Sequence, residues 1–500
     1  MTASPPPTAP QLARIQSFAF VGIDAVPVTV EVHVASGLPS FLVVGMADKA
    51  VGEARERVRA ALSSMGLALP PKRILVNLTP ADLPKEGAHF DLPIAIGLLV
   101  AMGVLSIDSV AHYAAIGEVS LDGKINATHG ALCAAITAAS MELGLICPPT
   151  QGAEARWGHP DIDIITPPSL SALIAHCRGE QVLTPIADPV VHEPDYGPDL
   201  IDIKGMETGR RVLEIVAAGG HSLLMSGPPG AGKSMLASRL PSILPDLTHR
   251  EMLEASQIHS ISGFLHNGRL ISRPPYRAPH HSASLPALVG GGQKARPGEI
   301  SLAHHGVLFL DELPEFSRSC LESLRQPLET GQITISRAAH HTQYPARFQF
   351  IAAMNPCKCG YLGDSERACR KAPRCADDYT ARISGPMLDR IDLRVEITPL
   401  SPIELNRSPK GEPSEVVRAR VTQARARQLK RQECCNAQAA PEDFSIDEDA
   451  LSLTEQAATR LRLSNRGMIR LLRVSRTIAD LEGSETVQRH HAAEALSYRL

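Results

Sequence analysis

The octapeptide GPPGAGKS, residues 227–234, is the most informative stretch of this 500-residue chain. A strand-like run, residues 221–226, precedes it, and SMLASRLPSIL, which begins at its last residue, predicts a helix. The pattern G-x-x-x-x-G-K-[ST] in this strand–loop–helix setting is typical of a loop that binds nucleotide phosphates. The alternative is an ordinary glycine-rich turn.

The residue types in this loop predict an ATP site. Glycines let backbone amides close around phosphate oxygens, and the N-terminus of the following helix adds a favourable dipole. We expect Lys233 to reach the β- and γ-phosphates and the Ser234 hydroxyl to coordinate Mg²⁺. The predicted nucleotide-binding residues are Gly227, Pro228, Pro229, Gly230, Ala231, Gly232, Lys233 and Ser234.

A second motif follows a short apolar run at residues 307–310, which predicts a buried strand ending in Asp311 and Glu312. Carboxylates at the carboxyl end of such a strand lie beside the phosphate loop in α/β sheets. We expect Asp311 to hold Mg²⁺, directly or through water, and Glu312 to orient and activate the attacking water. Taken alone, this motif is also compatible with the start of a helix.

A third predicted strand, residues 348–354, ends in Asn355. An amide there can hold water near the γ-phosphate, and the alternative is a turn residue before Pro356. In this order the three motifs resemble Walker A, Walker B with its glutamate, and the sensor-1 residue of the AAA+ superfamily.

The AAA+ resemblance implies two further arginines. Arg390 resembles the finger that reaches the γ-phosphate bound by a neighbouring subunit, and the alternative is an ordinary pair with Asp389 or Asp392. Arg466 resembles the sensor-2 residue of a C-terminal lid, with Arg470 and Arg473 as alternatives. A finger acting between subunits implies a homo-oligomer, which in this superfamily is usually a hexameric ring.

Composition limits the remaining possibilities. The formal net charge is −3, so a nucleic-acid site must be a local patch or channel. The first ten residues lack the features of a signal peptide, and the apolar run at 92–105 is too short and interrupted to span a bilayer. Ten cysteines do not form a secreted disulfide framework. We expect a cytoplasmic protein without a membrane segment.

The chain divides into segments of different pattern. Alternating strand and helix signals predict an α/β domain at residues 200–400, and helical patterns dominate residues 401–500. Before them lie a predicted disordered tail, a first domain and a proline-rich linker, at residues 1–10, 11–183 and 184–199.

Two stretches are additions to a minimal ATPase core. They are residues 259–299 and a predicted β-hairpin at 331–347 with a basic tip. They resemble the helix-2 insert and the pre-sensor-1 hairpin of the clade that contains magnesium chelatases and MCM helicases. That resemblance implies pore-facing hairpins that track nucleic acid without reading sequence, and solvated loops are the alternative. The basic helix at 416–431 predicts a solvated face or a DNA contact. The basic residues of the first stretch are Arg269, Arg273, Arg277, His280, His281, Lys294 and Arg296.

Four cysteines follow Asn355 within nineteen residues. Clustered thiols in a reducing compartment suit tetrahedral Zn²⁺ better than disulfides. We therefore predict a structural zinc site, with unliganded thiols as the alternative, at Cys357, Cys359, Cys369 and Cys375.

Longer stretches resemble one family closely. The sequences at residues 36–62, 77–99, 355–364 and 384–393 are similar to those of the ComM/YifB family of magnesium-chelatase-like proteins. The resemblance implies an α/β multidomain protein: an N-terminal α+β domain of the ribosomal-S5/Lon-protease type, a central AAA+ P-loop domain and a C-terminal helical lid. It also implies a hexameric helicase that acts on single-stranded and branched DNA and promotes branch migration when transformed DNA recombines.

The Lon-like resemblance does not imply proteolysis. PKEGAHFD, residues 84–91, stands where the Lon nucleophile lies, and it contains no serine. One departure from the family concerns zinc, since members often carry a tighter second cysteine pair than Cys369 and Cys375. The alternative function is a chelatase subunit that uses ATP to insert Mg²⁺ into a porphyrin.

Overall fold

A computed structural model describes residues 12–187, 196–265, 268–292, 296–336, 341–362 and 373–499. The predicted tail, the centre of the predicted linker, the hairpin tip and Cys369 lie outside those residues. The chain forms two compact units, Met1–Glu193 with Met252–Ile271, and Pro194–Glu251 with Ser272–Leu500.

The first unit is built on a mixed seven-stranded sheet in the order β3-β4-β2-β1-β5-β8-β9. β1 and β2 pair antiparallel, as do β2 and β4, and the outer pairs are parallel. The strands of the first unit are β1 (Leu12–Val21), β2 (Asp24–Ala35), β3 (Ser40–Val44), β4 (Arg73–Thr79), β5 (Tyr113–Ala115), β6 (Glu118–Val119), β7 (Ile125–Asn126), β8 (Gly144–Ile146) and β9 (Ile164–Ile165). β6 and β7 form a separate antiparallel pair. Its helices are α1 (Lys49–Ser64), α2 (Asp91–Ala101), α3 (Ala131–Ser140), α4 (Gly152–Ala155) and α5 (Leu170–Cys177).

Helix α2 forms the centre of this unit. Every one of its residues is buried, because its sequence DLPIAIGLLVA is apolar on all sides after the first residue. A Cβ on Gly97 would lie 2.5 Å from Cγ2 of Val32, so glycine lets the helix approach β2 closely. Asp91 at its first turn accepts two hydrogen bonds from Arg57, at 2.6 and 2.9 Å. Burial raises the pKa of Asp91, and Arg57 acts in the opposite direction.

Lys85 and His89, in the segment of residues 84–91, are both buried. The Lys85 ammonium donates to the carbonyl of Pro80, and His89 Nε2 donates to the carbonyl of Phe18 over 2.8 Å. Burial lowers the pKa of Lys85. Both side chains therefore serve the packing of this unit.

Residues 252–271 belong to the first unit, whereas we expected them within the ATPase core. The Ser260 hydroxyl donates to Glu154, and Trp157 Nε1 donates to the carbonyl of Gly268 over 2.8 Å. These contacts join positions about 110 residues apart, which no local sequence pattern specifies.

The second unit contains a parallel five-stranded sheet in the order β11-β14-β17-β10-β18. Its strands and two ribbons are β10 (Leu223–Ser226), β11 (Tyr276–Arg277), β12 (Gly290–Gly291), β13 (Arg296–Pro297), β14 (Val307–Leu310), β15 (Gln332–Ser336), β16 (His341–Pro345), β17 (Gln349–Met354) and β18 (Leu393–Glu396). β14 is buried along its whole length, as its continuous apolar sequence predicts for an inner parallel strand.

Helices flank this sheet and complete the chain. They are α6 (Glu207–Gly219), α7 (Lys233–Ile243), α8 (His249–Ser262, in the first unit from Met252), α9 (Leu285–Val289), α10 (Glu299–Leu302), α11 (Arg318–Ser323), α12 (Arg325–Thr330), α13 (Arg374–Thr380), α14 (Gly385–Leu388), α15 (Pro402–Arg407), α16 (Ser414–Gln432), α17 (Glu448–Arg460), α18 (Asn465–Glu482) and α19 (Arg489–Ser497). In the part of the chain that is described, no helix has the length and apolar character needed to cross a bilayer.

Two antiparallel ribbons lie side by side in the second unit. The predicted hairpin is present as β15 and β16, with Ser336 opposite His341. β12 and β13 form the other ribbon. A Cβ on Gly290 would lie 2.7 Å from Cδ1 of Ile335, so the two ribbons are in contact.

Several basic residues of α16 have partners within the second unit, whereas Arg427 and Lys430 are exposed, as expected for a solvated face. Arg420 pairs with Glu214 and Glu412, and Arg431 pairs with Asp480. Glu214 belongs to α6 and Asp480 to α18, so these two ion pairs connect α16 to neighbouring helices. Three more donate to backbone carbonyls: Arg418 to Ser242, Arg425 to Ala217 and Arg427 to Asp480.

Candidate functional site

The loop of residues 227–234 connects β10 to α7 at the carboxyl edge of the parallel sheet. A Cβ on Gly227 would lie 2.3 Å from the carbonyl oxygen of Ile397, so only glycine fits there. Gly232 has a φ of 89°, in the left-handed region, directly before Lys233 opens the helix. The local sequence therefore produces a tight loop followed by a helix N-terminus, which is suited to an anion.

Lys233 is buried and lies at the centre of the site. Its Nζ donates to the carbonyls of Gly227 and Pro228, at 2.7 and 3.0 Å, and to Oδ1 of Asn355 at 3.2 Å. Burial lowers the pKa of Lys233, and the negative charges of Asp311 and Glu312 act in the opposite direction. The structure thus brings together the predicted Walker A lysine and the predicted sensor-1 residue.

Ser234 and Asp311 are in direct contact. The Ser234 hydroxyl donates to Oδ2 of Asp311 over 2.6 Å, which joins the first turn of α7 to the end of β14. A hydroxyl and a carboxylate are hard oxygen ligands of the kind that Mg²⁺ takes. The residues present therefore fit the predicted metal.

Glu312 stands at the turn after β14 with φ 53° and ψ 47°, in the left-handed region. Its backbone N–H donates to Oδ1 of Asp311 over 2.9 Å, and its side chain is about half exposed. His281 Nδ1 lies 3.2 Å from Oε2 of Glu312. His281 is one of the basic residues of the insert, and nothing in the sequence signals this contact.

Three of the four predicted zinc ligands lie together. The Sγ atoms of Cys357 and Cys359 are 3.0 Å apart, and those of Cys357, Cys359 and Cys375 all lie within 4.8 Å of one another. Cys369 falls outside the described residues. A Cβ on Gly360 would lie 2.7 Å from Cδ of Pro229, so the cysteine loop is packed against the phosphate loop.

A second group of potential metal ligands, Glu482, His490 and His491, fits a metal less well. Nδ1 of His491 accepts a hydrogen bond from the backbone N–H of Gln488 over 2.8 Å. The ring proton of a neutral His491 is therefore on Nε2, which faces Glu482 at 3.0 Å. That nitrogen donates to the carboxylate and has no lone pair for a metal.

Arg390 lies at the opposite edge of the sheet from the phosphate loop. It precedes β18, which runs parallel to β10, whereas the phosphate loop follows β10. Its guanidinium pairs with Glu329 and donates to the carbonyl of Pro386 over 2.6 Å, leaving the side chain 9% exposed. The partner of Arg390 is therefore Glu329 and neither Asp389 nor Asp392, the two nearby aspartates that the sequence suggests.

Arg466 is exposed on the first turn of α18, and no described contact joins it to the phosphate loop. One turn later Arg470 pairs with Asp392 over 3.2 Å. Asp392 directly precedes β18, so this part of α18 also lies at the amino edge of the sheet. The structure does not bring Arg466 to the nucleotide loop of its own chain.

Several basic residues of the insert have partners in the second unit. Arg277 makes two hydrogen bonds to Glu299, at 2.6 and 2.7 Å, and Arg273 pairs with Asp246. Arg296, on β13, is exposed. Lys294 lies outside the described residues.

Three family models match the chain. "Magnesium chelatase, subunit ChlI" matches residues 199–405, "Subunit ChlI of Mg-chelatase" matches residues 30–151, and "Magnesium chelatase, subunit ChlI C-terminal" matches residues 411–499. Together they cover both units.

Similar proteins extend over nearly the whole chain. The YifB protein of Salmonella typhimurium is 43% identical over 495 residues, which are 98% of this chain and 97% of that protein. Competence protein ComM of Haemophilus influenzae is 44% identical over 500 residues, with the same two shares. The magnesium-chelatase 38 kDa subunit of Rhodobacter capsulatus is 26% identical over 328 residues, 58% of this chain and 83% of that subunit.

Proposed function

Because this chain belongs to the ComM/YifB family of magnesium-chelatase-like ATPases, we propose that it is an ATP-driven DNA motor of the cytoplasm. It acts as a homohexameric ring on single-stranded and branched DNA. There it promotes branch migration when incoming DNA recombines during natural transformation. One observation carries the proposal: the hydrolytic residues and Arg390 lie at opposite edges of one parallel sheet.

The carboxyl edge of the sheet supports the hydrolytic half of the proposal. Lys233 binds the β- and γ-phosphates and exchanges its carbonyl partners for phosphate oxygens. Bound Mg²⁺ would neutralise phosphate charge, with Ser234 and Asp311 as its protein ligands. Glu312 orients the attacking water, and Asn355 holds water near the γ-phosphate.

The amino edge supports assembly. The four residues of β18 span roughly 10–13 Å, so Arg390 cannot reach the phosphate loop of its own chain without rearranging the fold. An arginine finger supplied by a neighbour stabilises transition-state charge. Arg390 would exchange Glu329 for that phosphate on assembly, and the exposed Arg466, near the same edge, would face the same neighbour.

The two ribbons support contact with DNA. The contact between Gly290 and Ile335 holds β12–β13 beside β15–β16. Arg296 is exposed on one ribbon, and the sequences that close the two ribbons contain Lys294 and Arg337. Since the chain as a whole is slightly acidic, the exposed Arg296 would be a local cationic contact of the kind that neutralises phosphates.

The cysteine cluster supports a structural zinc ion held by Cys357, Cys359 and Cys375, with Cys369 as the fourth ligand. Four thiolates at about 2.3 Å from zinc lie about 3.8 Å from one another in a tetrahedron. The observed Sγ atoms, all within 4.8 Å, need only small shifts to reach that arrangement. Since Gly360 lies against Pro229, the ion would stiffen the loop behind the phosphate site.

Junction unwinding by the purified full-length chain tests the function. We expect ATP hydrolysis stimulated by single-stranded DNA, and ATP-dependent resolution of a labelled three-strand junction. Glu312→Gln should abolish both activities, whereas Glu455→Gln, at an exposed position of α17, should leave both unchanged.

An intact junction together with ATPase activity that is indifferent to DNA would refute the motor. The matches to chelatase subunits make insertion of Mg²⁺ into a porphyrin the second candidate. Stimulation of hydrolysis only by a porphyrin-binding partner protein would favour it.

A further inference from the structure

Ser222 connects the strand of the phosphate loop to the backbone of Arg390. It directly precedes β10, whose other end leads into the phosphate loop. Its hydroxyl accepts a hydrogen bond from the backbone N–H of Asp392 over 2.9 Å. The one hydroxyl proton is shared between two acceptors, the carbonyl of Arg390 at 2.9 Å and Oδ2 of Asp392 at 3.1 Å. Ser222 therefore binds residues 390–392 to the amino end of β10.

Asp392 strengthens this junction from the other side. Its Oδ2 accepts the backbone N–H of Ser222 over 3.0 Å, and the N–H of Leu393 donates to the carbonyl of Ser222 over 3.1 Å. Oδ1 of Asp392 lies 3.2 Å from Nε of Arg470 in α18. Ser222 and Asp392 are each only 9% exposed, so water competes little for these bonds. The junction is therefore a fixed part of the fold.

The backbone of Arg390 is held more firmly than its side chain. Its N–H donates to the carbonyl of Met387 over 3.0 Å, and its own carbonyl faces Ser222. The guanidinium pairs with Glu329, whose side chain is 50% exposed. Such a carboxylate regains water when the ion pair opens, so the pair is easily exchanged. The guanidinium can therefore leave Glu329 while the backbone stays in place.

We propose that Ser222 is a positioning residue that sets the reach of Arg390 toward the nucleotide of a neighbouring subunit. The hydroxyl fixes the point of the backbone from which the Arg390 side chain extends. Precision matters there, because misplacing a reacting group by about 1 Å can slow a reaction by about 10²-fold. This role rests on the proposed function, which makes Arg390 the finger of a homo-oligomer.

Steady-state ATP hydrolysis and binding of a non-hydrolysable ATP analogue by the full-length chain test this role. Ser222→Ala should lower kcat about 10- to 100-fold, because the backbone of Arg390 loses its tether, and should leave affinity for the analogue nearly unchanged. Ser222→Thr keeps a hydroxyl and should retain kcat within about threefold. The matched control is Ser475→Ala, which should change neither quantity, because that buried hydroxyl donates to the carbonyl of Leu471 within α18.

Mixed rings separate a misplaced finger from damage to the subunit's own site. Ser222→Ala keeps Glu312, so an excess of Glu312→Gln subunits, which supply an intact finger, should restore part of its activity. An excess of Arg390→Ala subunits should not, because they supply no finger. Rescue by both or by neither overturns the proposal. An unchanged kcat in Ser222→Ala, or loss of its analogue binding, also overturns it.

Failure of the proposed function gives different results. Full activity of Arg390→Ala alone would refute the finger, and the role of Ser222 with it. Hydrolysis and rescue that follow the expected pattern in a protein that leaves junction DNA intact would refute the motor and leave the role of Ser222 standing.

Discussion

Nζ of Lys233 lies 3.2 Å from Oδ1 of Asn355, which links the first residue of α7 to the end of β17. The ammonium of Lys233, which would bind phosphate, is thus held by Asn355, the residue that would sense the γ-phosphate. If phosphate oxygens engaged Lys233, the amide of Asn355 would become available to water. Binding and sensing share one contact, so loss of the lysine should affect both.

We first predict that Lys233→Ala abolishes ATP binding and lowers kcat at least ~100-fold, because the fixed charge that opposes the phosphates is removed. Calorimetric titration with a non-hydrolysable ATP analogue and steady-state turnover measure the two effects. Lys430→Ala, at an exposed position of α16, is the matched control. Retained turnover in Lys233→Ala would show that the phosphate loop is misassigned.

Arg390→Ala should leave nucleotide binding largely intact and lower hydrolysis about 10³-fold or more, as removal of an arginine finger does. Mixing it with Glu312→Gln should restore part of the activity. At some interfaces an Arg390→Ala subunit, which keeps Glu312, would receive the finger of its neighbour. Rates measured across a series of mixing ratios provide the test.

Two outcomes would count against this geometry. Absence of rescue at every ratio would mean either that Arg390 acts within its own chain or that Arg390 is not an arginine finger. Full activity of Arg390→Ala alone would reduce Arg390 to the structural partner of Glu329.

The cysteine cluster should hold one zinc ion per chain, detectable by elemental analysis of protein prepared without added metal. The double variant Cys357→Ser with Cys375→Ser should lose it, because two of the described thiolates are removed. Cys434→Ser, outside the cluster, should keep it. Purified protein with full ATPase activity and no bound metal would contradict the assignment.

The pH dependence of stability should involve Asp392. Burial by itself raises the pKa of Asp392, but His221, the N–H of Ser222 and Arg470 outweigh it, and the pKa lies below its usual value. A carboxylate of this kind stabilises the fold above its unfolded pKa of about 4, and the contribution disappears as the pH falls through the lower folded value.

We accordingly predict that Asp392→Asn destabilises the fold by about 2–4 kcal/mol at pH 7, since Arg470 loses its charged partner. The difference from the unchanged protein should shrink as the pH falls below about 4. Urea denaturation at several pH values measures it, with exposed Asp389→Asn as the control. A difference that stays constant with pH would show that charge is not its source.

Much of the nucleotide site is readable from the chain because each motif is contiguous. The strand, the loop and the first turn of α7 follow one another within about 20 residues, so Lys233 and Ser234 could be identified by pattern. Asp311, Glu312 and Asn355 each follow a short apolar strand, and parallel pairing brings such strand ends to one edge. That these side chains lie at the same edge of the sheet was therefore predictable from the sequence.

The contacts that the sequence did not signal join elements distant along the chain. His281 lies against Glu312 only because β11 takes the edge position beside β14. Arg390 pairs with Glu329 instead of an adjacent aspartate, and Arg420 and Arg431 of α16 pair with carboxylates of α6 and α18. The sequence around a charged side chain does not indicate which distant residue the fold will place beside it.

From the sequence alone came the phosphate loop, the order of the hydrolytic residues, the ribbon at 331–347 and the family, since these depend on local backbone preference and on residue order. Tertiary structure alone decided that residues 252–271 join the first unit, that Arg390 stands across the sheet from Lys233, and that His281 lies beside Glu312. The physical reason is that strand order and helix docking are selected by burial of whole faces. That choice determines which distant polar groups become neighbours.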